Sequence, residues 1–359
     1  MSNSENKKLF TELKLGNLTL KNRVVMAPMT RSRAVAGQPT EIMAEYYGAR
    51  ASAGLIITEG VAPSANGLGY ARIPGLFNSD QVVGWKKVTS AVHRGGGTMF
   101  AQLMHTGRAS HPFNMLPGAQ ILAPSAIALS GKIWTDKEGD QIYPTPKEMT
   151  LSEVQLTISE YVHASKLAIE AGFDGVEVHG ANGYLMEQFL NPAANRRNDE
   201  FGGTAEGRQK FLLETVKQTV AAIGASRIGV RISPYGVFND MGPFEGIDAF
   251  YVDLTKKLSA MGIAYIHVVD HSSMGAPAVS ADLKQKIRDN FKGLYILSGG
   301  YDAVRADVDL SEGRGDLVAF GRPFIANPDL VEKLKTNAPL KTADHTKFYT
   351  PGPEGYTKI

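Results

Sequence analysis

Short runs of consecutive apolar residues recur along the chain, separated by amphipathic stretches. The runs cover Asn22–Thr30, Leu55–Val61, Thr98–His105, Gly175–Gly180, Ile228–Pro234, Tyr265–Asp270, Leu294–Gly300 and Leu317–Arg322. Most are continuous, not alternating, which is the pattern of strands buried on both faces. The intervening stretches, among them Thr40–Ala53, Asp80–Arg94, Leu151–Ala171 and Glu206–Ile223, carry apolar residues at helical spacing. Eight strand–helix alternations predict an α/β fold, most simply a closed eight-stranded (β/α)8 barrel of the TIM type. A doubly wound sheet is the alternative, but no Gly-x-Gly-x-x-Gly follows an early strand. Two segments stand outside the repeat. Residues 9–21 alternate around Gly16-Asn17 and predict an N-terminal hairpin that plugs the bottom of the barrel. Residues 106–150, rich in Pro, Gly and Ser, are long for a βα connection and predict a capping insertion over the active face. Residues 1–359 then form one domain.

Composition narrows the chemistry. With 359 residues, 43% of them hydrophobic, the chain can bury a large core. The formal net charge is +2 and no block of like charge occurs, so neither nucleic acid nor an anionic membrane is implied as a partner. The start, Met-Ser-Asn-Ser-Glu-Asn-Lys-Lys, has no apolar signal core, and no apolar run approaches the roughly 20 residues needed to span a bilayer. A cytoplasmic location is the default expectation. Cysteine is absent, which excludes disulfides, thiolate metal sites, cysteine-ligated iron–sulfur clusters and cysteine nucleophiles. The eight histidines are scattered without metal-ligand spacing, so no metal site is expected.

In a barrel of this kind the C-terminal ends of the strands line the site. Read in order they give Pro28-Met29-Thr30, Glu59-Gly60, Gln102 with Met104-His105, His179 with Asn182, Arg231, Asp270-His271, Ser298-Gly299-Gly300 and Gly321-Arg322. The set lacks the paired carboxylates of a glycosidase and a strand-end lysine for a Schiff base. Its last two members suggest a phosphate site, with close backbone approach at Gly299 and Gly300 and a fixed charge at Arg322. Arg231, embedded in an apolar strand, needs a partner: an internal carboxylate such as Glu177, or an electron-rich ligand. Gln102 reads as a core amide bonded to backbone or as a contact to a ligand edge. Gly95-Gly96-Gly97 reads as a helix C-terminal turn. The run Asn195–Gly203 reads as a solvated loop before a helix cap at Thr204. His105, His163, His267 and His345 read individually as structural.

The segment His179-Gly-Ala-Asn-Gly-Tyr184 is the most informative. It joins a buried strand to an apolar-faced helix start, Leu-Met-Glu-Gln-Phe-Leu. His179 and Asn182 can donate hydrogen bonds, and they share one face if the turn is helical. Tyr184 can donate a proton.

These segments together resemble the old yellow enzyme family of FMN-dependent ene-reductases. The resemblance rests on Leu-Phe-Thr-Glu-Leu-Lys-Leu-Gly near the start, on Asn22–Arg31, on Glu45–Glu59, on His179–Leu185, on Asn195–Gly203 and on Phe320–Val331, with the closing Phe-Tyr…Glu-Gly-Tyr. It covers nearly the whole chain.

The resemblance implies FMN at the mouth of the barrel. Pro28, Met29, Thr30 and Gly60 would contact its ring, Gln102 the pyrimidine edge, and Arg231 the side where negative charge collects on reduction. Gly299, Gly300, Gly321 and Arg322 would hold the phosphate. Tyr70, Met104 and Tyr349, with His179 and Asn182, would line the substrate space. It further implies that NADPH or NADH reduces the flavin. An activated alkene then binds: an α,β-unsaturated carbonyl or nitro compound, with nitrate esters as a further class. His179 and Asn182 would polarise its oxygen. Hydride would come from flavin N5 and the proton from Tyr184. A monomer or homodimer is expected. Relatives have His or Asn at position 182 and usually Trp at position 104. Met104 is smaller and more flexible, so a wider pocket is expected there. Thr30 puts the chain on the branch with Thr instead of Cys. Two other readings stay open on the residues alone: a flavin-binding protein without meaningful turnover, and a flavin-free barrel lyase or isomerase.

Overall fold

The computed structural model describes residues 7–359; most of the polar start read above lies outside them. Two short strands, β1 (Leu13–Leu15) and β2 (Leu18–Leu20), pair antiparallel around Gly16, which has φ +55°. The barrel strands follow: β3 (Val24–Met26), β4 (Leu55–Val61) and β5 (Met99–Leu103). The inserted segment adds β6 (Leu122–Ala123), β7 (Lys132–Thr135), β8 (Gly139–Ile142) and β9 (Lys147–Glu148). The barrel resumes with β10 (Gly175–Gly180), β11 (Ile228–Ile232), β12 (Tyr265–Val268), β13 (Leu294–Leu297) and β14 (Leu317–Phe320). These eight strands close in parallel, in the order β10-β11-β12-β13-β14-β3-β4-β5. The helices α1 (Glu41–Gly48), α2 (Ser79–Arg94), α3 (Leu151–Glu170), α4 (Leu185–Leu190), α5 (Ala205–Ile223), α6 (Ile247–Ala260), α7 (Ala281–Asn290) and α8 (Ala303–Ser311) surround them. The expected strand–helix order is therefore present. Among the described residues no helix is long and apolar enough to cross a membrane.

Strand residues divide by parity, because successive side chains point to opposite faces. One set, including Val24, Ile56, Ala101, Val176, Val230, Ile266 and Val318, packs against the helices in the main core. The other set fills the barrel: Val25, Leu55, Ile57, Phe100, Tyr265, Ile296 and Leu317. Leu15 and Leu20 of the hairpin join this second cluster and close its lower end. Both faces of the barrel strands are thus covered, which explains why those runs are continuous in the sequence.

The insertion builds two small sheets, β6 with β9 and β7 with β8. It is tied to loops above the strand ends. Asn114 donates to Gly69 O at 3.0 Å, and Ser130 bonds Asp240 through both N and Oγ at 2.7 Å. The Asn195–Gly203 run departs from the solvated loop expected. Asn195 and Arg197 are buried, and Arg197 donates to Pro124 O and Met149 O, at the ends of the insertion. Thr204 caps α5 through Gly207 N, as expected, and Gly95 ends α2.

Leu20 fills the lower end of the barrel with no measurable exposure. Leu20→Ala is expected to cost about 2–5 kcal/mol, the range for a large-to-small change that leaves a cavity. Chemical denaturation measures it; a loss below about 1 kcal/mol would mean that the hairpin is not a structural plug.

Candidate active site

A cavity of about 750 Å³ opens above the C-terminal ends of the strands. Pro28, Met29 and Thr30 line it beyond β3, Arg231 from β11, and His271 beyond β12. Gly299 and Gly300 line it beyond β13, Gly321 and Arg322 beyond β14, and Tyr349 from the C-terminal tail. The volume is that of a small-molecule or cofactor site.

The wall beneath it is polar on one side only. Gln102, Glu177 and His267 point into the barrel from β5, β10 and β12 and are buried. Glu177 Oε1 accepts from Gln102 Nε2 at 2.8 Å, and Oε2 meets His267 Nδ1 at 3.0 Å. Burial alone would raise the Glu177 pKa, but His267, Arg231 and Gln102 outweigh it and hold the carboxyl below its ordinary value. Burial also pushes His267 down, so the imidazole is neutral and donates from Nδ1.

Arg231 stands one strand away from both partners. It makes no ion pair or side-chain hydrogen bond among the described residues, and its Nε is buried without a partner. The expectation of an internal carboxylate partner is thus met only as nearby charge, not as contact: burial pushes the Arg231 pKa down, and Glu177 partly opposes this without bonding it. A buried guanidinium that faces a cavity and has no partner is costly unless a ligand supplies acceptors.

The far end of the cavity differs. Gly299 has φ +121°, and a Cβ there would lie 2.6 Å from Asp270 O; at Gly300, with φ +64°, it would lie 2.8 Å from Ser273 Cβ. Side chains are excluded at both, which leaves backbone facing the cavity beside the exposed Arg322. Backbone plus an unpaired arginine suits a phosphate.

The His179–Tyr184 turn lies alongside the cavity. It is not helical, so the condition under which His179 and Asn182 would share one face is not met: Asn182 adopts φ +60° and Gly183 φ +70°. His179 is on β10 and registers with Arg231. Burial, with Arg231 next, pushes the His179 pKa well below its ordinary value, so the imidazole is neutral. Its Nδ1 is buried without a partner. Glu187, in α4, clamps the turn: Oε2 accepts from Gly183 N at 2.6 Å and Oε1 from Ser233 Oγ at 2.8 Å. Ser233 Oγ in turn accepts from Asn182 N at 2.9 Å. Tyr184 Oη donates to Tyr70 Oη at 3.4 Å, and burial pushes its pKa up to about 12. It is a protonated acid at neutral pH.

Several expected site residues sit outside the cavity lining. Gln102 spends its amide nitrogen on Glu177, not on backbone, leaving its carbonyl oxygen for a ligand. Met104 is 2% exposed and packs over Gly60, where a Cβ would come within 2.5 Å of Met104 Sδ. Instead of widening an open pocket, Met104 occupies the space that Gly60 leaves, in a small cluster with Tyr70 and Tyr184.

Sequence reasoning missed Glu187 and gave His271, though a strand-end residue, no role; both touch the turn instead of standing in it. It also missed the anchoring of the tail. Arg31 and Arg33 donate to the Phe348 carbonyl at 3.1 and 2.8 Å, and to those of Gly355 and Glu354 at 2.6 and 2.7 Å. Tyr356 stacks on Tyr46 with centroids 3.9 Å apart. This holds Phe348 and Tyr349 at the cavity wall. A cluster of arginines near the start gives no sign in the sequence of partners more than three hundred residues away.

Comparison with known proteins fits this geometry. The NADH:flavin oxidoreductase / NADH oxidase family matches residues 8–341. A Leishmania infantum protein named "Probable flavin mononucleotide-dependent alkene reductase" is 39% identical over 349 residues, 96% of this chain and 94% of its own. The old yellow enzyme homologue from Zymomonas mobilis superposes with a TM-score of 0.92 at 39% identity, covering 97% of this chain and 98% of its own. Morphinone reductase in complex with tetrahydroNAD gives a TM-score of 0.91 at 40% identity, covering 97% and 96%.

Burial pushes Glu187 and Glu59 each up from 4.5 to about 7. A raised carboxyl pKa makes a contribution to stability that is complete below the unfolded value and lost as pH rises through the folded one. The thermal midpoint is therefore expected to fall between about pH 5 and pH 8. Glu187→Gln keeps a neutral side chain on Gly183 and Ser233 and is expected to flatten part of that fall. Equal slopes in the two proteins would refute the assignment.

Proposed function

The chain belongs to the NADH:flavin oxidoreductase / NADH oxidase family, that of the old yellow enzymes, and on this premise we propose that it reduces activated alkenes with FMN. The observation that carries the reading is Arg231, a buried cation facing a cavity with no acceptor for its side chain among the described residues. It suits a ring edge that gains negative charge on reduction. The glycine-lined end beside Arg322 suits the phosphate of the same molecule. Bound FMN would supply hydride transfer in both directions, from a reduced nicotinamide nucleotide and to the substrate. NADPH and NADH are both admitted as donors.

The residues that would hold FMN are Pro28, Met29, Thr30, Gly60, Gln102 and Arg231 at the ring, and Gly299, Gly300, Gly321 and Arg322 at the phosphate. The remaining residues act on the substrate. Neutral His179 and the Asn182 amide donate to its carbonyl or nitro oxygen and stabilise the negative charge that grows there. Tyr184 hands its proton to the carbon next to the activating group. Its raised pKa keeps it protonated until that charge develops, and Tyr70 accepts the Tyr184 hydroxyl in the resting state. Tyr70, Met104 and Tyr349 bound the substrate space. Enones, nitroalkenes and nitrate esters are the substrate classes proposed. A carrier has no need of an aligned proton donor, and the alkene reductase among the relatives does not favour the carrier or lyase readings.

Purified protein is expected to bind FMN and, without oxygen, to oxidise NADPH or NADH only stoichiometrically with its flavin until 2-cyclohexenone is added, and catalytically thereafter. Failure to bind FMN would sink the reading. Arg231→Met should weaken FMN binding about tenfold or more, the loss of a charged hydrogen bond. Tyr184→Phe should leave FMN binding intact and slow enone turnover about a hundredfold or more. An unchanged rate would remove Tyr184 as the proton donor.

A further inference from the structure

Asn182 is used almost completely by its surroundings. Its backbone N–H donates to Ser233 Oγ at 2.9 Å, and its backbone carbonyl accepts from Asn239 Nδ2 at 2.8 Å. Its side-chain Oδ1 lies 3.0 Å from His271 Nε2. The group without a partner among the described residues is the amide Nδ2. A carbonyl oxygen can only accept, so this placement of the amide corresponds to the neutral His271 tautomer that carries its proton on Nε2. Burial, with Arg231 next, pushes His271 down to about 4, which keeps the ring neutral in the working range. The ring packs against Phe238 at 4.8 Å and lines the cavity.

An asparagine amide is nearly symmetric in shape, so nothing steric decides which end faces a ligand. With the carbonyl end inward, a substrate oxygen would meet another acceptor and be repelled. A proton on His271 Nε2 removes that ambiguity, because only the amide oxygen can accept it, whereas the other tautomer would turn the amide round.

We propose that His271 is a positioning residue: it fixes the rotamer of the Asn182 amide so that the NH2 group, not the oxygen, meets the oxygen of the substrate. The proposal rests on the reading of Asn182 as a substrate donor. It assigns to the loop beyond β12 a part in the reaction that the loop performs without touching the reacting atoms.

A double-mutant cycle tests it. His271→Phe keeps a ring against Phe238 and removes the donor; His271→Gln keeps a donor. Each is combined with Asn182→Ala, and kcat/KM for 2-cyclohexenone is read. So is the dissociation constant of cyclohexanone, which has the oxygen but no alkene. His271→Phe is expected to lower kcat/KM and weaken cyclohexanone binding roughly fivefold to tenfold, the scale of one hydrogen bond. His271→Gln should recover most of both. In the Asn182→Ala background His271→Phe should add nothing. Equal losses in both backgrounds, or no loss in either, would overturn the proposal. If Asn182→Ala costs activity and His271→Phe does not, the positioning role alone falls. If Asn182→Ala costs nothing, the donor reading of Asn182 falls and takes the proposal with it. Should His271→Phe not fold, His271→Met serves the same cycle.

Discussion

A carboxylate inside the barrel sets the terms for everything above it. Glu177 is buried and ionised, and such a charge is tolerated only with donors around it. Gln102 and neutral His267 provide them by direct hydrogen bonds, and Arg231 provides opposite charge without contact. That last arrangement is the consequential one. Had the guanidinium closed on Glu177, the pair would satisfy itself and the cavity would face a neutral wall. Held one strand away, the cation lowers the cost of the carboxylate and keeps its own donors for a ligand. The same field acts on His179, whose neutral state follows from burial and from the positive charge of Arg231 beside it. The buried anion thus steadies a cation that faces the cavity, and that cation in turn helps to keep the neighbouring imidazole neutral.

The rest of the barrel interior pays for this polar side. Val25, Leu55, Ile57, Ile296 and Leu317 fill the lower and opposite parts, and the hairpin closes the bottom with Leu15 and Leu20. Water is kept from the lower end, so the dielectric around Glu177 stays low and its interactions stay strong. The division follows strand parity. On β10 the even residues Val176 and Val178 join the helix-facing core, while Glu177 and His179 point inward. A shift of one residue in that strand would bury apolar residues at the site and send both functional groups into the helix layer.

Much of this was legible in the chain. The eight strands were visible because burial on both faces leaves continuous apolar runs. A charged or amide residue inside such a run, such as Arg231 or Gln102, stood out as needing a partner. What the chain did not reveal was which partner. Gln102 bonds a carboxylate instead of backbone, and the Arg231 side chain bonds nothing among the described residues. Such choices depend on register across a closed sheet, which no local pattern carries. Spacing would put His179 and Asn182 on one face only if the turn after β10 were helical, but Asn182 is left-handed, with its backbone held by Ser233 and Asn239 and that of Gly183 by Glu187. Those residues come from other segments. Met104 was judged by size alone, and the glycine it covers decides where its volume goes.

The left-handed turn also explains why its residues can play separate parts. In a helical turn His179 and Asn182 would share a face and be carried by one backbone. Here β10 fixes His179, while Ser233 and Asn239, beyond β11, hold the backbone of Asn182 and His271, beyond β12, meets its side chain. Asparagine is among the few residues that accept a positive φ at small cost and can also donate a hydrogen bond. Glycine would take the backbone more easily but would bring no donor, and glutamine would bring the donor but resist the backbone. The chemistry of polarising an oxygen and the geometry of a tight strand-to-helix turn thus favour the same residue type. The two requirements coincide only because Glu187, at the first turn of α4, supplies acceptors for the turn from below.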